Sequence, residues 1–189
     1  LGEMTAKAID ILSKNDKGFF LQVEAGRIDH AHHDTNPYRA LSDTIELSHA
    51  VSIALKKVDL SETLIIVTAD HSHVLTIGGY ATRGNPILGK SVSNDRSGEP
   101  RNTPSLASDN LPYTTLGYAN GRGHRHLGME TDADECYDGP VFAGRANLMG
   151  MDTTQPGFFQ ESLVPLTSET HSGEDVAIYA SGPGAHLIS

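Results

Sequence analysis

Histidines and carboxylates that could bind a metal occur at three places in this 189-residue chain. Residues 29–33 read Asp-His-Ala-His-His, so Asp29 and His33 are four apart and would share one face of a helical turn. Residues 70–73 read Asp-His-Ser-His, and His171 lies in a third polar block. Zinc prefers imidazole nitrogen and carboxylate oxygen, so these residue types predict a metal site.

The candidate ligands fall into two sets. Asp29, His33 and His171 would make a three-ligand set that leaves one position of a tetrahedral zinc ion (Zn²⁺) open. Asp70 and His71 offer two ligands of a second set. Two divalent ions about 4 Å apart can hold a phosphoryl group between them. Phosphoryl transfer is therefore the chemistry that this arrangement serves best.

Two predicted strands carry carboxylates to one edge of a sheet. Residues 19–24 are an almost continuous apolar run and residues 63–69 a β-branched run, both typical of buried strands, and the carboxylates Glu24 and Asp70 lie at their ends. Ligands of open α/β sheets bind where the strands finish. Glu24 offers only oxygen, which suits a harder cation such as magnesium (Mg²⁺).

Helical and strand patterns alternate along the chain, which predicts an α/β fold. Apolar residues at helical spacing predict helices over 1–12 and 37–58, and another β-branched run predicts a strand over 175–180. Right-handed crossovers between such elements give a mainly parallel sheet flanked by helices.

The chain also shows a change of composition that predicts an insert. Residues 83–110 are rich in Ser, Asn, Gly and Pro, which favour loops. We expect a partial core domain made of 1–80 and 163–189, interrupted by a loop-rich insert over 81–162. Because the first helical pattern begins at Leu1 without a cap, we also expect an upstream segment.

Charge and composition exclude several classes of function. The chain has 24 acidic and 14 basic residues and a net charge of -10, which argues against a nucleic-acid-binding surface. The longest strongly apolar run, 64–67, is far shorter than the roughly 20 residues that cross a bilayer. The single cysteine, Cys136, cannot form an internal disulfide.

Four longer blocks resemble the metal-binding blocks of alkaline phosphatase. They are 18–24 (Gly-Phe-Phe-Leu-Gln-Val-Glu), 27–33 (Arg-Ile-Asp-His-Ala-His-His), 68–73 (Thr-Ala-Asp-His-Ser-His) and 169–175 (Glu-Thr-His-Ser-Gly-Glu-Asp). Shorter blocks at 78–84 and 182–187 resemble the animal-type and marine bacterial members. The similarity is strong over 1–89 and 163–189 and loose between them, where the resemblance implies a crown-like insert.

The resemblance implies a site with two zinc ions and one magnesium ion, and it gives roles to seven residues. These are Glu24 on magnesium, Asp29, His33 and His171 on the first zinc, Asp70 and His71 on the second zinc, and His30 near the bound phosphate. His73 is equally compatible with a residue that supports the ligands and with a loop histidine. The implied activity is hydrolysis of phosphate monoesters through a phosphoserine intermediate.

The sequence lacks the family's Asp-Ser-Ala type block with the serine nucleophile, and also the block with the phosphate-binding arginine. We expect the missing amino-terminal half of the same protein to supply both, and the isolated chain to be inactive. The resemblance further implies a homodimer in the periplasm, outside the cell or on its surface. A related two-metal phosphodiesterase, sulfatase or phosphomutase, and an inactive metal-binding fragment, are the alternatives.

Overall fold

A computed structural model describes residues 1–132 and 140–188. Cys136 lies outside the described residues. The helices within the described residues are α1 (Gly2–Leu12), α2 (Arg27–His33) and α3 (Pro37–Lys57), with a 3₁₀ turn at Ala185–Leu187. The strands there are β1 (Ile65–Thr68), β2 (Ser72–His73), β3 (Leu75–Ile77), β4 (Leu116–Gly121), β5 (Arg125–His126), β6 (Phe158–Phe159), β7 (Ser162–Pro165), β8 (His171–Ser172) and β9 (Ile178–Ser181).

The α/β class is confirmed, and two of the predicted helices form almost as expected. α3 begins at Pro37 because proline suits the first helical position and Asn36 caps the helix. The Asn36 Oδ1 atom accepts a hydrogen bond from the Arg39 amide at 3.1 Å. Lys56 and Lys57 lie in the last turn, where positive charge complements the helix dipole.

One compact unit, unit 1, consists of Leu1–Ile28, Leu41–Ser72 and Ser172–Ser189. Within it α1 contacts α3 near both ends. The Gly2 amide donates to Glu46 Oε1 at 2.9 Å, and Lys57 Nζ donates to Asp10 Oδ1 at 2.6 Å. β1 pairs with β9, so that residue 65 lies opposite 181 and residue 68 opposite 178.

The predicted strand at 19–24 does not form in the described structure. These residues make no backbone hydrogen bond to another described residue, and the Phe20 side chain is 86% exposed. An apolar run becomes a strand only where a neighbouring segment pairs with its amides and carbonyls, and no described segment does so. The apolar pattern of 19–24 therefore does not by itself produce a strand.

The mainly parallel sheet is not confirmed by the described residues. β1 and β9, two of the predicted core strands, run antiparallel. The crossover argument holds when successive strands pair through one intervening helix. Here β1 pairs with a strand more than a hundred residues later, so that argument does not apply to this pair.

The second compact unit, unit 2, consists of Asp29–Ala40 and His73–His171. Its largest sheet has β4 at the centre, antiparallel to β3 and parallel to β7. The buried apolar side chains of this unit include Leu116, Tyr118, Leu148, Phe158 and Phe159.

Between β3 and β4 the described chain has only isolated bridges, such as the one between residues 90 and 114. The absence of helix or strand that we predicted for 83–110 is therefore confirmed. The division of the chain into a core of 1–80 and 163–189 and an insert of 81–162 stays a prediction. None of the described helices is both long and apolar enough to cross a membrane.

Candidate metal centre

Helix α2 brings Asp29 and His33 to one face. They are four residues apart, and His33 Nε2 lies 3.2 Å from Asp29 Oδ1. The helix ends at His33, and Thr35 then adopts a left-handed backbone with φ of 59°, which is costly for a β-branched residue. Thr35 is held there by backbone contacts, since its carbonyl accepts from the Gln160 amide at 2.9 Å and its amide donates to the His32 carbonyl at 2.8 Å.

His171, at the start of β8, completes a triangle with these two side chains. Its Nε2 lies 3.2 Å from Asp29 Oδ1 and 3.2 Å from His33 Nε2. Ligand atoms about 2.0–2.1 Å from a tetrahedral zinc ion lie about 3.3 Å from one another. All three edges of the triangle are close to that value, so the three residues fit one face of a zinc site.

The tautomer of His33 also fits a metal ligand. Its Nδ1 lies 2.6 Å from the Glu169 carbonyl oxygen, which can only accept a hydrogen bond. The hydrogen of neutral His33 is therefore on Nδ1, and the Nε2 lone pair faces the Asp29 carboxylate. A cation between these atoms stabilises such an arrangement, and metal-binding histidines usually donate through their other nitrogen in this way.

His73 and Glu169 form the next layer of the site. His73 Nδ1 lies 2.7 Å from Glu169 Oε2, and His73 Nε2 lies 3.1 Å from Asp29 Oδ1. Burial acts to lower the pKa of His73, but the Glu169 and Asp29 carboxylates outweigh it and raise that pKa above its ordinary value. His73 thus lies within this cluster, in contact with Glu169 and Asp29, and is not an isolated loop histidine.

His32 packs behind His73 and contacts a buried tyrosine. The two imidazole rings stack with centroids 4.6 Å apart, and His32 Nδ1 lies 2.9 Å from the Tyr118 hydroxyl oxygen. Burial lowers the pKa of His32 to about 4, so its ring stays neutral at neutral pH. Burial also raises the pKa of Tyr118, which keeps its hydroxyl protonated.

The other predicted site residues differ in their contacts and in their exposure to solvent. In unit 1, Asp70 Oδ2 lies 3.3 Å from His71 Nε2, and the Asp70 side chain is 88% exposed. The structure thus brings this pair together at a surface open to solvent. Glu24 is exposed and joins no group of three metal-ligating atoms within the described part of unit 1. His30, on α2, is also exposed.

Sequence reasoning gave no role to Glu169 or Tyr118 and left His73 undecided. Glu169 was visible as an acid two residues before His171, inside a block rich in metal ligands. The sequence alone does not show whether the Glu169 side chain is exposed to solvent or buried. Only the tertiary structure shows that it is buried against His73 and the Val74 amide.

The comparisons with known proteins cover the whole chain. The family model described as alkaline phosphatase matches residues 1–189, including 90–162, where the sequence blocks are only loosely similar. The chain is 42% identical over 188 residues to the tissue-nonspecific alkaline phosphatase isozyme of Gallus gallus and 41% identical over 189 residues to that of Homo sapiens. It is 38% identical over 188 residues to an alkaline phosphatase of Gadus morhua.

These alignments include 100% of the chain but only 31% of the chicken and human relatives and 34% of the cod relative. The chain therefore spans about a third of the length of the curated relatives it matches. The resemblance of the histidine and carboxylate blocks is confirmed by a match that runs from the first residue to the last. The chain belongs to the alkaline phosphatase family.

Proposed function

We propose that this chain supplies metal-binding residues to an alkaline phosphatase that hydrolyses phosphate monoesters. The observation that carries the proposal is the triangle of Asp29, His33 and His171, whose ligand atoms lie 3.2 Å apart. A set of one carboxylate and two imidazoles with an open fourth position is typical of catalytic zinc. Membership in the family connects this set with phosphate ester hydrolysis.

In this proposal Asp29, His33 and His171 hold the first zinc ion. When bound, the zinc supplies a Lewis acid for a phosphoryl oxygen. Asp29 contributes the negative charge, and His33 keeps its Nε2 lone pair available because its Nδ1–H donates to a main-chain carbonyl. His171 is the most exposed of the three side chains, so the site is accessible from solvent.

The other assignments are supported more by family membership than by geometry. We infer that Asp70 and His71 bind a second zinc, and their 3.3 Å approach supports this. We infer that Glu24 binds magnesium through its oxygens and that His30 lies near the phosphate. A serine from a segment outside this chain would form the phosphoserine intermediate.

We also propose that the whole protein resembles its relatives in architecture. Residues 81–162 would form a crown-like insert, and 19–24 would pair within a larger, mainly parallel sheet in the longer protein. Residues 19–24 make no backbone hydrogen bond to a described residue, which supports pairing with a further strand, and the exposed Phe20 side chain favours packing against an apolar partner. The protein would act as a homodimer in the periplasm, outside the cell or at its surface, on small phosphate monoesters.

The proposed function is tested by metal content and turnover together. We expect the chain joined to its amino-terminal half to contain zinc and magnesium and to release nitrophenol from nitrophenyl phosphate at alkaline pH. His171→Ala should remove turnover, whereas His186→Ala, which changes an exposed histidine of unit 1, should not. Absence of zinc, or hydrolysis of bis-nitrophenyl phosphate in preference to the monoester, would contradict the proposal.

A further inference from the structure

Glu169 is a buried carboxylate whose two oxygens are both engaged. The residue is 1% exposed. Its Oε1 accepts from the Val74 amide at 2.8 Å, and its Oε2 lies 2.7 Å from His73 Nδ1. Burying a carboxylate without such partners is strongly unfavourable, so these contacts account for its place in the interior.

The same residue also contacts His33, through its main chain. The Glu169 carbonyl oxygen lies 2.6 Å from His33 Nδ1, and the Glu169 amide donates to the His33 carbonyl at 2.9 Å. The carboxylate itself approaches His33 Nδ1 to 3.6 Å. One residue therefore determines the orientation of two imidazole rings, which are nearly perpendicular with an interplanar angle of 82°.

Both of those rings bring their other nitrogen close to the same oxygen. His33 Nε2 lies 3.2 Å and His73 Nε2 lies 3.1 Å from Asp29 Oδ1. Asp29 and His33 belong to the proposed zinc triangle, so a rotation of either ring would change the position of a ligand atom. The surrounding contacts of a zinc ligand contribute about 10–100-fold to metal affinity.

We propose that Glu169 is a positioning residue of the zinc site, with its carboxylate acting on Asp29 through His73 and its carbonyl fixing His33. This inference rests on the proposed function, because it assumes that Asp29, His33 and His171 bind zinc. A substitution of Glu169 removes its side-chain carboxylate but leaves its main-chain carbonyl in place. The experiment therefore tests only the effect of the carboxylate on Asp29 through His73.

The experiment is a double-substitution cycle in the 189-residue chain, read as the zinc dissociation constant from competition with a chromophoric chelator. The single variants are Glu169→Gln and His73→Ala. The glutamine would keep the size of the side chain but offer only one acceptor oxygen for two N–H groups. We expect each single variant to bind zinc about 10–100-fold more weakly. In the His73→Ala background, Glu169→Gln should have an effect of less than about 2-fold, because its route to Asp29 is gone.

Two controls separate positioning from general stability. Gln160→Leu removes a part-buried side-chain hydrogen bond of unit 2, in which Gln160 Oε1 accepts from the Thr114 hydroxyl at 2.8 Å, and keeps the main-chain bond from Gln160 to Thr35. It should destabilise the fold while leaving zinc affinity unchanged. Circular dichroism establishes which variants are folded, and Glu169→Asp serves as a second variant if Glu169→Gln does not fold. The shorter aspartate side chain retains the charge but not the reach, so zinc affinity should fall here too.

The outcomes distinguish this inference from the proposed function. If the unsubstituted chain binds no zinc, both are overturned. If it binds zinc and the folded Glu169 variants bind with an unchanged dissociation constant, only the role of Glu169 is overturned. Equal effects of Glu169→Gln in the presence and absence of His73 would also overturn it, since they would exclude action through His73.

Discussion

The two ring nitrogens of His33 have different surroundings, and this difference shows how a short helix can orient a candidate metal ligand. The Nδ1 atom is fixed by a main-chain carbonyl 2.6 Å away, which no side-chain substitution removes. The Nε2 atom is left to face Asp29 and His171 at 3.2 Å each. The ring is thus oriented before any metal binds, so little conformational entropy opposes binding.

Removal of a ligand should therefore weaken zinc binding more than removal of a supporting residue. We predict that His33→Ala raises the zinc dissociation constant by more than the roughly 100-fold upper value for supporting contacts. The measurement is the same chelator competition, with His49→Ala on α3 as a control for loss of an imidazole. Zinc binding to His33→Ala with unchanged affinity would show that the triangle is not the binding site.

A second prediction at the scale of single residues concerns pH and His124. Burial lowers the pKa of His124, and nearby His126 adds to this, although Glu161 and the Phe159 carbonyl oppose it. Below about pH 6.5, the unfolded state therefore binds a proton more readily than the folded state, and stability falls as the pH falls. His124→Gln should lose less stability between about pH 7 and pH 5 than the unsubstituted chain. Urea unfolding with chelator present at both pH values measures this, and parallel losses would contradict it.

The end of strand β4 packs closely against residues around the proposed site. Gly121 ends this strand with φ of 138°, a conformation that favours glycine. A Cβ atom there would overlap the Thr35 side chain and lie 3.1 Å from Ser162 Oγ and 3.2 Å from Glu169 Cβ. The end of β4 therefore lies close to both Thr35, two residues after α2, and the positioning residue Glu169.

We predict that Gly121→Ala destabilises the chain more than Gly144→Ala. Both glycines have positive φ, at 138° and 84°, but a Cβ at Gly144 meets no described atom within 4 Å. Gly144→Ala should cost about 1 kcal/mol from backbone strain alone, and Gly121→Ala about 1–3 kcal/mol more from overpacking. Urea unfolding measures both, and equal losses would show that the neighbours of Gly121 move aside.

The features that could be predicted from the sequence depend mostly on residues that are close together in the chain. α3 could be predicted because Asn36 and Pro37 define its start and its apolar residues repeat within a few turns. The strand at 19–24 could not, because strands depend on partners that are distant in sequence. β4 and β7 illustrate this, since residue 118 pairs with 162. The ligand types were visible in the sequence, but the support of His73 by Glu169 depends on a contact across 96 residues.

At the scale of the whole molecule, the chain contains the proposed metal ligands but no serine nucleophile block of the family type. We predict that the isolated 189-residue chain binds zinc yet shows no phosphatase turnover. The measurement is nitrophenol release at alkaline pH with added zinc and magnesium, with the chain joined to its amino-terminal half as positive control. Turnover by the isolated chain that disappears with chelator would contradict the prediction.

The net charge of -10 does not describe the charge near the proposed metal site. Asp29 and Asp70 contribute to that total, yet each lies beside an imidazole that could share a cation with it. Bound divalent ions would offset part of the charge at the site where, in the proposed function, phosphate would approach. The acidic excess is therefore compatible with the anionic substrate that we propose.

The triangle of ligands also has a consequence for the chain as a polymer. His33 and His171 are 138 residues apart in sequence, so an ion bound by both would cross-link the ends of a long loop. Closing such a loop costs entropy that grows with the logarithm of its length, and metal binding would offset part of that cost in the folded chain. Unlike a disulfide, which the single cysteine cannot form internally, the ion would dissociate on unfolding, so the stabilisation would depend on the zinc concentration. We therefore expect zinc depletion to make unit 2 more sensitive to proteolysis, in addition to removing the proposed Lewis acid.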